Sequence, residues 1–291
     1  SRRCDHPGAV SAVAADRVHD GLTAALAARP PITLGELEES SGLLTRIDRK
    51  YLVPERLVPI MVEELPADAT VLEIAASRSF TYESVYFDSP DLESYLSAAR
   101  GRRRRFKVRT RSYVDSGGCV LEVKTRGGRG ETVKERLEYD LDRRDEITAE
   151  GAKFTEYLTG RADLGSRLDP TLVTRYLRAT VVSGSHDWRL TIDTDLECTP
   201  RSTERACGCP DGRVARMPGY VVVETKSTAL ATPADRWLWR QRIRPVGISK
   251  FGTGFAALHP EAPSNKWRRV LTTYFDVTHP PAASSRAATS R

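Results

Sequence analysis

The sequence predicts an α+β protein built on an antiparallel β-barrel of about eight strands with flanking helices, a tunnel rather than a doubly wound sheet. Three observations carry this. Segments of alternating apolar and polar residues recur along the middle of the chain. Turns and short capped helices separate them, with few of the long crossover helices a parallel sheet needs. The polar side of the alternation is repeatedly Lys or Arg.

The 291 residues suffice for one sizeable core, as one large domain or two small ones. No run of about 18 apolar residues occurs, so no membrane-spanning helix is expected. Asp5, Asp16 and Asp20 interrupt any apolar stretch at the N-terminus, and no secretory signal is read there. Five cysteines (Cys4, Cys119, Cys198, Cys207 and Cys209) are too few and too odd in number for a disulfide framework and fit a reducing compartment. The close pair Cys207 and Cys209 lacks a second Cys or His pair at zinc-ligand spacing.

Residues 1–34 read as an Ala-rich arm or helix, 35–260 as the tunnel domain, and 261–291 as a tail in which the apolar patch Trp267 to Phe275 folds back on the body. The first strand runs from Arg46 to Val53, with Arg46, Asp48 and Lys50 on one face. Ser84 to Phe87 is the second, followed by Asp88-Ser89-Pro90 as an N-cap and a helix ending at Gly101. Phe106 to Val114 follows. Cys119 to Thr125 and Thr132 to Leu141 form a hairpin about the Gly-rich turn Arg126 to Gly130. Asp169-Pro170 opens a further helix, after which Tyr176 to Val182, Asp187 to Asp195 and Tyr220 to Lys226 read as strands. Thr199 to Gly219 is a long basic loop, read either as a gate at a tunnel mouth or as irregular chain. Thr232-Pro233 caps an amphipathic helix whose Trp237 and Trp239 serve packing.

The segment Arg100 to Arg111 holds eight basic residues, with Arg103, Arg105, Lys107, Arg109 and Arg111 at period two. Alone, such a run reads as a solvated surface. Other strands repeat the pattern: Glu122 with Lys124, Lys134 with Arg136, Glu224 with Lys226, and single arginines at Arg178 and Arg189, each opposite an apolar face. Like charges on neighbouring strands repel by roughly 0.2–1 kcal/mol per pair. A cationic ring becomes favourable once a dense polyanion fills it, and Arg and Lys suit phosphate oxygens. The interspersed acids Asp48, Glu122 and Glu224 could hold a divalent cation or orient their basic neighbours.

In this order, DRKY (Asp48–Tyr51), VYFDS (Val85–Ser89), KVRTR (Lys107–Arg111), LEVKT (Leu121–Thr125) and VKER (Val133–Arg136) resemble the catalytic domain of the vacuolar transporter chaperone (VTC) polyphosphate polymerases, within the triphosphate tunnel metalloenzymes. YLRAT (Tyr176–Thr180), RLTIDTDL (Arg189–Leu196), VVVETK (Val221–Lys226) and ISKFGTG (Ile248–Gly254) continue the likeness, which covers about residues 40–260. The resemblance implies that Lys50, Arg109, Arg111, Lys124, Lys134, Arg136 and Arg178 contact a phosphate chain. It also implies a phosphate contact by Lys250 with Ser249 beside it, lumen positions for Arg189 and Lys226, and a metal-coordinating role for Glu224 toward Mn²⁺ or Mg²⁺. Lys250, Arg178 and Lys124 are the catalytic candidates.

Where the wider family opens on ExExK, this chain has Arg46-x-Asp48-x-Lys50, which removes metal ligands and suits the polymerase branch. No histidine follows Lys124, which weighs against a phosphohistidine. The implied activity is transfer of the γ-phosphoryl of ATP to inorganic polyphosphate, in the cytoplasm or at the inner face of a membrane. Product transport would fall to a separate membrane protein. The five histidines are scattered and read as non-catalytic. Three other readings remain: triphosphate hydrolysis in the same tunnel, a polyphosphate sensor without catalysis, and nucleic-acid binding through Arg100 to Arg111. That run holds only Phe106 for base stacking, so no nucleic-acid partner is expected.

Overall fold

The computed structural model describes residues 19–39, 47–127, 132–201, 212–228 and 231–278. Its centre is one antiparallel sheet of eight long strands. In spatial order they are β2 (Ile47–Pro54), β11 (Tyr220–Ser227), β9 (Trp188–Pro200), β8 (Asp169–Val182), β4 (Phe80–Asp88), β5 (Arg105–Tyr113), β6 (Gly118–Arg126) and β7 (Thr132–Glu138). Short strands trim it. β1 (Pro31–Ile32), just ahead of α2 (Leu34–Glu39), pairs in parallel with β3 (Thr70–Leu72), which joins β8; β10 (Val214–Arg216) lies between β9 and β12 (Asp276–Thr278).

Two register irregularities, one in β4–β8 at Tyr86/Phe87 and one in β8–β9 between Arg175 and Leu177, fall where the longest strands must bend. The sheet curls until its two ends face each other: Asp48 and Lys226 act electrostatically on Lys124, and Lys50 acts on Lys107. Among the described residues β2 and β7 are not paired, so the wall is a curled tunnel with a seam, not a barrel hydrogen-bonded shut.

The apolar side of the alternation faces outward, beneath helices. Tyr51, Val53, Val221, Val223, Leu190 and Ile192 pack under the helix at 19–27 (α1), α3 (Val58–Glu63) and α6 (Pro233–Arg240). Val85, Phe87, Val108, Leu121 and Val123 are covered by Phe154 and Leu158 of α5 (Ala149–Thr159) and by Leu164 and Leu168 beyond it. The expected cap at Thr232 forms, and Asp235 completes it as a capping box. Asp235 also accepts hydrogen bonds from the Tyr51 hydroxyl at 2.6 Å and the Thr225 hydroxyl at 2.8 Å, which pins α6 across β2 and β11.

One helix lies on the inner side. α7 (Lys250–Leu258) starts at the N-cap Ser249, whose hydroxyl accepts from Gly252 N, and packs Phe251 and Phe255 against Tyr86, Tyr95 and Leu172. Its glycines permit this approach. A Cβ at Gly254 would stand 2.6 Å from Cys198 Sγ, and one at Gly252 would stand 2.4 Å from the Trp267 ring. Trp267 belongs to the apolar patch expected to fold back, and it does so, ahead of α8 (Arg268–Tyr274).

Two local expectations fail. Asp169-Pro170 does not open a helix: both lie in β8, and Pro170 sits opposite Phe87 at the bulge, where a missing N–H is tolerated. α4 (Glu93–Ala99) begins four residues after the Asp88-Ser89 pair, with Leu92 as N-cap at φ 55°. Asp88 instead lies buried and accepts from the backbone N–H groups of Ser89, Ser94 and Tyr95. Arg46, the pair Cys207 and Cys209, Gly128 and Gly130 of the hairpin turn, and residues 202–211 of the basic loop lie outside the described residues; the rest of that loop is partly strand, with Thr199 and Pro200 in β9 and Val214–Arg216 as β10.

Candidate functional site

Strand register decides which side chains share the inner face. Lys50 lies across from Glu224, and Glu224 from Thr191; Lys226 lies between Asp48 and Arg189. Arg178 is opposite Asp193 on the neighbouring strand pair. On the other wall Tyr86, Arg109, Glu122 and Arg136 form one row across four strands, and Lys107, Lys124 and Lys134 form the next. Ser249 and Lys250 enter from the start of α7. The expected binding, catalytic and metal-holding residues come to this face: Lys50, Arg109, Arg111, Lys124, Lys134, Arg136, Arg178, Arg189, Glu224, Lys226, Ser249 and Lys250.

Three carboxylates organise these cations. Glu122, 2% exposed, receives Arg109 at 2.5 Å, Lys134 at 2.8 Å and Arg136 at 3.1 Å, with Arg111 at 3.7 Å. Burial would raise its carboxyl, but Arg109, Arg111 and Lys134 hold it well below the usual carboxylate range. Glu224 joins Lys50 at 2.5 Å and Lys226 at 3.1 Å; against the same burial effect, these two lysines hold it low as well. Asp193 accepts from Arg178 through two bonds of 2.6 and 2.8 Å and from Lys250, and the pair of cations overcomes burial to hold it at about 2.

Aromatic rings complete the lining. Tyr82 and Tyr176 stack at 5.6 Å, with Arg178 5.2 Å from both centroids and Lys250 4.4 Å from that of Tyr176. Burial would raise the Tyr176 phenol, yet Arg178, Arg111 and Lys250 draw it below its ordinary value. The Tyr86 hydroxyl accepts from Arg109 at 2.9 Å.

Asp193, Lys107 and the three tyrosines are not among the site residues expected from the sequence. Asp193 does carry a signal, because it stands at even spacing from Arg189, and Lys107 lies in the period-two basic run. The tyrosines carry none that separates them from core aromatics.

Lys107 differs from its neighbours. Its Nζ donates to Ser249 Oγ at 3.1 Å and lies 5.7 Å from the centroids of Tyr86 and Phe251. Burial, then Arg109, Lys124, Lys50 and Arg105, push its pKa down to about 7. Anion binding favours the charged form and must bind a proton wherever Lys107 is neutral. The Lys107-dependent part of tripolyphosphate affinity is therefore expected to fall as pH rises from about 6 to about 8, its share of proton uptake absent at the low end and approaching one at the high end, with Lys134, pushed down to about 8 by burial, adding to the uptake there. Lys107→Met should flatten that dependence; calorimetry in two buffers of different ionisation enthalpy measures it.

Among the described residues no group of three or more His, Cys, Asp or Glu could cage a metal ion. The donors fit a different arrangement. Glu224 offers one carboxylate, and opposite it the Thr191 hydroxyl is buried without a hydrogen-bond partner. Mg²⁺ and Mn²⁺ commonly use one or two carboxylates and take their remaining oxygens from water and substrate phosphate. No described helix is long and apolar enough to cross a membrane.

Fold and site together define a cationic tunnel, an antiparallel sheet curled about a Lys- and Arg-rich lumen, with helices packed on its outer face and α7 on its inner side. The VTC domain family model matches residues 45–259, and the chain belongs to that family. No curated protein matches it. Among solved structures, the chain is similar to HpAC1 from Hippeastrum, a cyclase-type protein described as having a dominant triphosphatase activity. That match has 17% identity and a TM-score of 0.46, and covers 73% of this chain and 96% of that one. It is also similar to a protein of Vibrio parahaemolyticus described as of adenylate cyclase type (13%, TM-score 0.36, 68% and 83%) and to the PH1819 protein of Pyrococcus horikoshii (10%, TM-score 0.36, 68% and 88%).

Proposed function

We propose that this protein is a polyphosphate polymerase that transfers the γ-phosphoryl group of ATP to the end of an inorganic polyphosphate chain. The observation that carries the reading is the inner face itself. It draws cations from β2, β5, β6, β7, β8, β9, β11 and α7 into one lumen, where Glu122, Asp193 and Glu224 compensate only part of the charge. A polyanion supplies what the lumen lacks.

In the reaction a terminal phosphate oxygen of the chain bonds to the γ-phosphorus, the bond from that phosphorus to the β-bridging oxygen breaks, and ADP leaves. The attacking oxygen is already anionic, so no general base is required, and catalysis reduces to positioning and charge neutralisation. Arg178 and Lys250, held on Asp193 beside the Tyr82–Tyr176 stack, present a fixed cationic fork. Arg109, Arg136 and Lys134, gathered by Glu122, add cations from β5 and β7, and Lys124 of β6 lies close enough to Glu224 and Lys226 to feel their charges. A divalent cation held by Glu224 would neutralise phosphate charge and polarise the bond being broken. On this reading the protein works where ATP is available, in the cytoplasm, with passage of product across a bilayer left to a separate membrane protein.

The test is incubation of the purified protein with ATP and Mn²⁺, following ADP, free phosphate and polyphosphate separately. ADP matched by long-chain polyphosphate, with little free phosphate, is the expected result. Free phosphate without polymer would replace the reading with hydrolysis. Tight polyphosphate binding with neither product would leave a sensor.

A further inference from the structure

We propose that Arg105, Arg126 and Lys266, continuing outward from Lys107 and Lys124, form a distal subsite for the phosphates of a long polyphosphate chain that lie beyond the reacting centre. The inference rests on the polyphosphate reading of the tunnel and adds the mouth through which the chain extends.

Seven of the tunnel's cations have a carboxylate: Arg109, Lys134 and Arg136 share Glu122, Lys50 and Lys226 share Glu224, and Arg178 and Lys250 share Asp193. Toward the start of β5 this compensation stops. Arg105 stands directly across from Arg126, and in the next row Lys107 stands across from Lys124, which in turn faces Lys134. Among the described residues none of Arg105, Lys107, Lys124, Arg126 or Lys266 makes a salt bridge. Asp48 and Glu224 act on Lys124 electrostatically without pairing with it. Arg105 donates to the Arg102 carbonyl at 3.2 Å, Lys107 to Ser249, and Lys266 to the Ala98 carbonyl at 3.0 Å. Lys266 precedes α8 and is brought to this mouth by Trp267 against Gly252; burial, then Arg105 and Arg126, depress its pKa. Arg102, Arg103 and Arg104 stand exposed just outside.

Opposed like charges in successive rows are unfavourable in the empty protein and become favourable with a chain of phosphates laid between them. The neighbouring rings do not suit a nucleic acid. Phe106, Tyr86, Phe251 and Trp267 are all buried, so no ring face is open for a base to stack on.

The test compares wild type with the triple variant Arg105→Ser/Arg126→Ser/Lys266→Ser, with circular dichroism confirming the fold. Calorimetry measures affinity for tripolyphosphate, for long-chain polyphosphate and for a single-stranded oligonucleotide over a range of salt concentrations. The variant is expected to bind long-chain polyphosphate roughly tenfold more weakly, with a salt slope shallower by about 2, while tripolyphosphate affinity stays within about twofold. Unchanged long-chain affinity, an equal loss for both phosphates, or a wild-type preference for the oligonucleotide overturns the distal subsite and leaves the tunnel reading standing. Wild type that binds neither phosphate overturns both. If the triple variant does not fold, Arg126→Ser alone, exposed at the end of β6, should show the same selective loss at smaller size.

Discussion

Glu122→Gln is expected to lower the melting temperature of the free protein by about 10 °C, and tripolyphosphate is expected to restore more of that loss in the variant than it adds to wild type. The carboxylate is nearly inaccessible and is shared by Arg109, Lys134 and Arg136, with Arg111 close by. Removing one partner of a buried ionic cluster costs about 3–5 kcal/mol, because the remaining charges are left uncompensated. In a domain of this size each kcal/mol shifts the melting point by about 2–4 °C. A polyanion supplies negative charge to the same cations, and a ligand at roughly a hundredfold excess over its Kd adds about 2.7 kcal/mol.

The pH dependence follows from the low Glu122 carboxyl. Its stabilising contribution is complete above the unfolded carboxyl value of about 4.3 and disappears as pH falls from there toward the folded value. The gap between wild type and variant should therefore be widest near neutrality and close in acid. Thermal scans across pH, with and without tripolyphosphate, measure both effects. A loss that is independent of pH and of the anion would mean that Glu122 acts only through packing.

Glu224→Gln should have the larger effect on chemistry. Turnover is expected to fall by about 10²–10³, the equivalent of several kcal/mol of transition-state charge stabilisation. Tripolyphosphate affinity should hold or tighten, since the substitution removes a negative charge that competes for Lys50 and Lys226. Two further readouts separate coordination from mere ordering of those lysines. Glu224→Asp should recover part of the activity, and the Mn²⁺ concentration for half-maximal rate should rise in both variants. Full turnover in Glu224→Gln, or a loss of anion affinity matching the loss of rate, would contradict the assignment.

The alternation within single strands shows which side chains share a face. Lys50, Arg109, Arg178 and Glu224 each fall on the polar face of their own strand, because period two leaves no other option. Period two does not reveal which strands are neighbours. The pairing of Glu224 with Lys50, or of Asp193 with Arg178, depends on the spatial order β2-β11-β9-β8, and no local pattern encodes it. Asp193 therefore does not stand out in the sequence, although its spacing from Arg189 places it on the correct face.

Pro170 misleads for a related reason. Asp-Pro is a sound helix-opening signal locally, but β8 accommodates it at a bulge that exists only because β4 lies beside it. In the sequence, Gly252 and Gly254 are merely compatible with a helix; the contacts with Trp267 and Cys198 show why that helix can enter the curl of the sheet.

A crystal structure with tripolyphosphate and Mn²⁺ tests most directly whether a phosphate chain occupies the lumen. The expected density is a continuous chain along the inner face, its oxygens within hydrogen-bonding distance of Arg109, Arg178 and Lys250, with Mn²⁺ between the chain and Glu224. Tripolyphosphate found only on the outer surface, with the lumen empty, would contradict it.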